Sequence, residues 1–410
     1  MFEGISKKVL NTNDCVKISL WFPKLVLNSV CMWPGQINDI LQGFAFWLIM
    51  AICTFIEYGL FSFIVNNFKS FDESFTTITC FSTTMQVIVK GSIFYYYINT
   101  TKRILNVVLY KFWPSNLVGK KVENSLSSYC RIYLIGMMFF YFLGSFFSFV
   151  FMLTPFFKVT RETPYNTVYP FDYSSSPKFE IMYLMQCFTN FYIVLGVVVG
   201  VDILFMAVCC NITAQYRLLK SALLKLGTEE VKELNCKLSQ LFAESDTFEK
   251  SMSEEKKFFN RCINHHQLLL RTMEDVEIVY SVIGFFQLGF SIVAICLSSF
   301  VLTTENVEFN QLVNITLFIS ANIVELFYYC SVATEVDFEM DNLSQGIFSS
   351  YWYQTDYVKL RQDILFTIKK SQNVKKIKAL KLFPLNYDTF IQILRISFSF
   401  HTVLSNIAVR

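Results

Sequence analysis

IVYSVIGFFQLGFSIVAICLSSFVLTT, Ile278 to Thr304, runs 27 residues without a charged side chain. About 20 apolar residues in a helix cross the hydrocarbon core of a bilayer, so this stretch is long enough to span one. It is apolar all round, and such a helix must be covered by protein or lipid on every side. Six more windows have the length: Ile40–Val65, Phe75–Ile98, Ser127–Thr154, Phe179–Asn211, Glu308–Thr334 and the tail Asn386–Arg410. The second and the seventh are interrupted by charge. The sequence predicts an all-α membrane protein with seven transmembrane helices.

Composition agrees. Of 410 residues, 53% are hydrophobic and only 16% are charged, where a soluble chain carries roughly a quarter. The start, MFEGISKKVLNTNDC, has no apolar run after its basic residues, so no cleavable signal is expected and the first span acts as its own. Twelve Cys and three His form no C-x-x-C, no H-E-x-x-H and no cluster at metal spacing. The adjacent Cys209 and Cys210 read as a buried or palmitoylated pair. No metal, cofactor, catalytic constellation or nucleic-acid partner is expected, and the chain does not read as an enzyme.

Basic residues orient the bundle. With the N-terminus inside, about 26 Lys and Arg fall on the cytoplasmic side and about 5 outside. The expected layout is a cytoplasmic arm over 1–39 with a short amphipathic or re-entrant helix, then helices 1–4 over 40–211. A cytoplasmic helical loop follows over 212–270, then helices 5 and 6 over 271–334. An amphipathic cytoplasmic helix lies in 335–383, and the last helix takes 384–410, ending outside. In the 212–270 loop, Val231, Leu234 and Leu238 share one helical face, and FFNRCINHHQLLLRTMEDVEIVY runs into the fifth span without a breaker. The two cytoplasmic helical regions are expected to pack as an anchor for assembly. The sequons at Asn99, Asn211 and Asn342 fall inside and Asn314 lies close to a span, so little glycosylation is expected.

Glu57, Lys90, Asp202, Glu325 and Arg395 lie within the spans, where a charge costs roughly 2.5–3.5 kcal/mol at mid-bilayer. Lys90 and Asp202 sit toward the cytoplasmic ends and are expected to snorkel. Glu325 requires a partner or water, and Glu57 is expected to make a helix-to-helix contact. In the tail, Asp388, Gln392, Arg395, Ser399, Thr402, Asn406 and Arg410 follow one another by three or four residues and form a continuous polar stripe. Such a stripe either packs on other helices or lines water. One helix cannot enclose a pore, so the second reading requires several copies around an axis.

The C-terminal third resembles the insect odorant receptors. The resemblance rests on SYWYQTDYVKLRQDILFTIKKSQ (Ser350–Gln372) and VKKIKALKLFPLNYDTFIQILRISFSFHTVL (Val374–Leu404). Within them Trp352, Tyr353, Lys370, Ser371, Gln372, Phe390, Ile393, Leu394, Ser397, Phe398 and Ser399 carry the family pattern. It implies a multi-pass plasma-membrane protein of sensory dendrites: the odour-tuning subunit of a ligand-gated, non-selective cation channel, assembled with a co-receptor as a heterotetramer in membrane lipid. The compact 212–270 loop separates it from the longer co-receptor. The resemblance further implies a pore lined by the last helix, with Val403 and Ile407 as hydrophobic gate and Ser399 and Asn406 as its polar neighbours.

It also implies a pocket for a volatile apolar odorant among helices 2 to 6. Its expected wall is Phe75, Thr79, Ser145, Phe146, Phe149, Met152, Met182, Gln186, Asn314 and Phe318. A gustatory-type channel subunit is the alternative, although SFHTVLSN lacks the Thr-Tyr…Gln-Phe signature of those receptors. A G-protein-coupled receptor fits less well, because its N-terminus lies outside. A transporter is disfavoured by the few Gly and Pro available for broken helices.

Overall fold

The computed structural model describes residues 15–35, 39–67, 71–157, 161–242, 253–302, 309–354, 358–372 and 376–408; the side chains of 71–76, 157, 309–311, 354, 358–359 and 404–408 are outside the description. Twelve α-helices carry most of these residues. Among the described residues, five helical stretches are long and apolar enough to cross a membrane: Asp39–Asn66, Lys120–Phe156, Lys178–Leu223, Glu254–Val301 and Leu312–Phe348. The two spans interrupted by charge complete the bundle.

The first helix, α1 (Cys15–Ser29), folds back into the bundle. It buries Val26 and Leu27 against the core and exposes Trp21 and Leu25 on its other side. The chain then reverses through Cys31 and Gly35, both in the left-handed region. Helix α2 (Asp39–Asn66) is the first span, and α3 (Phe71–Tyr96) with α4 (Ile98–Tyr110) the second. Helix α5 (Lys120–Leu153) is the third. The outward faces of these spans carry Phe44, Trp47, Phe61, Ile132, Ile135 and Phe139, all exposed. A water-soluble fold would hide such side chains; lipid accepts them.

The fourth span is the axis of the bundle. It joins α6 (Lys178–Phe188), a π-helical stretch (Thr189–Val199) and α7 (Gly200–Leu223) without a break. The most apolar stretch of 18 consecutive residues in this span is entirely buried inside the chain. Small residues allow the approach of α1: a Cβ at Gly196 would overlap Val30 Cγ1, and one at Gly200 would stand 2.9 Å from Leu27 Cδ2. Wide π turns are rare and tend to mark functional segments, and here the stretch is where α1 is wedged. Tyr192 within it donates to the Ser29 carbonyl.

Three helices reach past the apolar spans at the basic end of the bundle. Helix α8 (Glu230–Leu241) buries Val231, Leu234 and Leu238, the face marked out by its spacing. Helix α9 (Glu254–Val301) begins at Ser253, whose hydroxyl caps Lys256 N–H. It has 48 residues, about 70 Å at the helical rise, against a hydrocarbon core of about 30 Å. Helix α10 (Phe309–Phe348) is similarly long. After α11 (Val358–Ser371), strands β1 (Lys378–Ala379) and β2 (Phe383–Pro384) form a hairpin. Its turn places Leu380 and Lys381 in the left-handed region, the geometry a tight primed hairpin turn demands. Ala379 and Leu385 are fully buried and sit over Gly284 of α9, while Leu380 N–H donates to the Ser281 carbonyl. This clamp fixes the start of the last helix, α12 (Tyr387–Ala408).

At the basic end, His265 of α9 stacks on Trp113 at 4.2 Å and 11°, and its Nε2 lies 3.0 Å from Gln215 Oε1 of α7. Gln215 in turn bonds both the N–H and the carbonyl of Trp113. Burial, and then His266 beside it, push the imidazole from 6.5 down to about 3. Between those values the unfolded chain binds a proton that the folded one excludes. The stability His265 contributes is therefore complete above pH 6.5 and is lost as pH falls toward 3. The melting temperature of the purified protein is expected to drop on acidification from about pH 7 to about pH 5. His265→Gln, which keeps a neutral hydrogen-bonding group, should flatten that dependence; an equally steep fall in the variant would contradict the assignment.

Candidate functional site

Lys90 of α3, Asp202 of α7 and Glu325 of α10 meet inside the apolar bundle. Lys90 Nζ lies 2.9 and 3.0 Å from the two Asp202 oxygens and 2.8 Å from Glu325 Oε1. Lys90 is 0% exposed and Asp202 2%. Tyr329, one turn beyond Glu325, donates to Asp202 Oδ1 and places its ring 5.6 Å from the Lys90 ammonium. Behind it Phe205 and Tyr280 continue an aromatic stack. Lys90 and Asp202 therefore do not snorkel, which corrects the reading of each charge alone. They face each other across two helices at one level, and the partner Glu325 requires is this same ammonium. Glu57 of α2 makes the interhelical contact expected of it, accepting from the Thr84 hydroxyl of α3.

Toward the opposite end lies the aromatic wall. The segment after α5 turns back into the bundle: Tyr165 N–H donates to Gln186 Oε1, Gln186 Nε2 donates to Thr167 Oγ1, and Val168 N–H to the Gly59 carbonyl. Tyr169 lies against Gly59, with its Cζ 2.5 Å from where a Cβ would stand. Hydrogen bonds thus hold this loop down in a chain whose described cysteines are all free. Tyr165, Phe151, Phe147 and Phe318 follow one another with centroids 5.8 to 6.3 Å apart.

The expected wall residues divide. Met182, Gln186 and Phe318 are buried; Thr79, Ser145, Met152 and Asn314 are half-buried. Gln186 is occupied by the loop, and the Ser145 hydroxyl by the Tyr141 carbonyl. Asn314 Nδ2 donates to Thr154 Oγ1, while its buried Oδ1 has no partner among the described residues. Phe146 and Phe149 turn outward, 56% and 53% exposed, so they do not share the inner wall. Phe147 and Phe151, one and two positions along, take the inward places. Because α5 meets lipid on one side and aromatic core on the other, it has no polar side by which to phase it. The Phe75 side chain lies outside the described residues.

The last helix touches its own chain along one narrow line. Thr389, Ile393 and Ser397 are buried at 6%, 4% and 0%, against exposed Asp388, Gln392, Arg395, Ser399 and Thr402. The polar stripe thus faces away from the protomer. Val403 beside it is also exposed, at 52%; the side chains of Asn406 and Ile407 are outside the described residues. Helix α10 links this helix to the ionic site: Phe327 packs on Tyr387 and Phe390, and Ser331 Oγ lies 3.0 Å from Tyr387 Oη.

Comparison with known proteins places this geometry. Residues 70–398 match the family described as 7tm Odorant receptor. Odorant receptor Or1 of Anopheles gambiae is 22% identical over 415 aligned positions, covering 95% of each chain. Odorant receptor 83a of Drosophila melanogaster is 25% identical over 281 residues, 61% of this chain and 62% of that protein. Among solved structures, the olfactory receptor OR5 of Machilis hrabei in complex with eugenol superposes with a TM-score of 0.74 at 17% identity, covering 96% of this chain and all of that one. The same receptor described without eugenol gives 0.75.

Removing one member of a buried ionic cluster leaves the others uncompensated, at about 3–5 kcal/mol. Lys90→Met, which opposes two carboxylates, is expected to abolish folded surface protein. Asp202→Asn leaves the Lys90–Glu325 pair and should be milder. The neutral triple variant Lys90→Met/Asp202→Asn/Glu325→Gln should recover much of the expression lost in Lys90→Met. Surface biotinylation and fluorescence-detected size exclusion measure all three, and equal expression of Lys90→Met and wild type would contradict the pairing.

Proposed function

This chain belongs to the 7tm odorant receptor family, and we propose that it is the odour-binding subunit of a ligand-gated, non-selective cation channel assembled with a co-receptor in the plasma membrane. The observation that carries the reading is the outward polar stripe of α12. A membrane helix that exposes Asp388, Gln392, Arg395, Ser399 and Thr402 away from its own chain needs water or polar neighbours on that face. Several such helices around an axis supply both: a wet path for cations and contacts between subunits. In this arrangement the basic end is cytoplasmic, and the helices that extend there form the anchor between subunits.

The gate in this reading is apolar. Val403 and Ile407, flanked by Ser399 and Asn406, close the path by excluding water, and it wets when the helices move apart. The ligand occupies the aromatic wall at the other end of the bundle. Phe147, Phe151 and Phe318 supply dispersion and desolvation, with Thr79, Ser145, Met152 and Met182 around them. Asn314 Oδ1 is buried without a partner among the described residues and is available to a ligand hydroxyl. Eugenol, the ligand in the Machilis hrabei complex, has the size and polarity class this wall suits.

The test is current recorded from cells that lack functional G-protein signalling, co-expressing this chain with a co-receptor under a panel of volatile ligands. An inward cation current that requires both subunits is expected; ligand responses that depend on G-protein signalling would contradict the proposal. In the same cells, Val403→Ser or Ile407→Ser should raise the ligand-free current severalfold, and an unchanged resting current would remove those residues from the gate.

A further inference from the structure

A groove of about 560 Å³ opens at the basic end, between α8, α9 and the turn that follows α4. Its volume falls within the range of small-molecule sites. Arg261, Asn264, His265, Leu268 and Arg271 recur along one face of α9 and form one side. Lys111 and Trp113 face them from the turn, and Leu238 and Phe242 close the third side. Among the described residues, three cations line this space and none of the lining residues is acidic.

Asp275, one turn beyond Arg271, is held by Arg103 of α4 through both of its oxygens. Glu254 is bonded to Lys257 and Asn235. Arg261 Nη1 donates to the Asn235 carbonyl, Asn235 Oδ1 and Ser239 Oγ, and its charge also acts on Glu254. Lys111 and Arg271 are exposed, with no acidic partner among the described residues. The Trp113–His265 stack beneath them is buried and fixed by Gln215, so the floor is rigid.

We propose that this groove is a binding site for a soluble polyanion, a small molecule carrying at least two phosphate groups. Arg261 and Arg271 are ten residues apart on one helix, about 15 Å at the helical rise. A ligand that engages both ends must therefore present anionic groups well separated from one another. Guanidinium forks and a lysine are the donors that phosphate oxygens select, and the exposed amides of Asn264 and Gln267 add neutral donors between them. Arg271 lies seven residues before the apolar run starting at Ile278, about 10 Å along the axis, and Arg261 about 25 Å. The groove therefore lies beyond the reach of most lipid headgroups and faces the aqueous compartment. Its occupancy is independent of whether the chain conducts.

The test uses the full-length protein in nanodiscs of neutral lipid, with inositol hexakisphosphate as the probe and binding read by Trp fluorescence and by thermal shift. The expected result is saturable binding that weakens with salt and falls at least tenfold in Lys111→Ala and in Arg271→Ala. Lys232→Ala, on the exposed side of α8, should bind like wild type. Both variants change exposed side chains, and retained thermal stability without probe shows that they fold. Binding that is absent, or equal in wild type and the two groove variants, would overturn the proposal. Binding only to nanodiscs containing phosphorylated inositol lipid, with no response to the soluble probe, would overturn the assignment to a soluble ligand.

Discussion

An ammonium held between two carboxylates in an apolar interior constrains everything around it. Lys90, Asp202 and Glu325 come from three different spans, and none can leave the cluster without stranding charge in a medium that does not solvate it. The cluster therefore sets the relative height of α3, α7 and α10. With those fixed, α7 becomes the axis, α1 wedges against its π-helical neighbour through Gly196 and Gly200, and Tyr329 and Phe205 fill the layer beneath. Helix α10 then has one side tied to the core and another side, at Phe327 and Ser331, against the base of α12.

That division of α10 is what the proposed channel reading uses. Its outer end carries Phe318 and Asn314 into the aromatic wall, and its middle is pinned by Glu325. Just beyond the pin it touches the stripe-bearing helix. A ligand that shifts the outer end against a fixed middle would move the contact at Phe327. The hairpin at Ala379–Phe383, clamped on Gly284, keeps the start of α12 in place, while the helix beyond it meets its own chain at Ile393 and Ser397 and turns its polar stripe away.

Much of this was legible in the sequence, and the rest was not for identifiable physical reasons. The uncharged run at 278–304 and the unbroken lead into it announced the long α9. The i, i+3, i+7 spacing of Val231, Leu234 and Leu238 gave the buried face of α8, since one side of that helix meets water. The tail's stripe was legible as one polar side, although its spacing left packing on other helices and contact with water both open. The inward side of α5 was not legible, because lipid and core are equally apolar there, and its inward residues are Phe147 and Phe151 in place of the expected Phe146 and Phe149. The ionic cluster was hidden because its members are separated by 112 and 235 residues, and Lys90 and Asp202 can each be rationalised alone by snorkelling, which left Glu325 with an unnamed partner. The hairpin escaped because its left-handed positions are Leu380 and Lys381, where turn chemistry leads one to look for Gly or Asn.

The central claim is that the outward face of α12 borders a water-filled path shared between subunits. Cysteine substituted singly along α12, probed with a charged thiol reagent during ligand-evoked current, tests it directly. Modification is expected at Gln392, Arg395, Ser399 and Thr402, with the current altered, and none at Thr389, Ile393 or Ser397. Protection of the first set, or reactivity with no helical period, would place the stripe against protein and contradict the account.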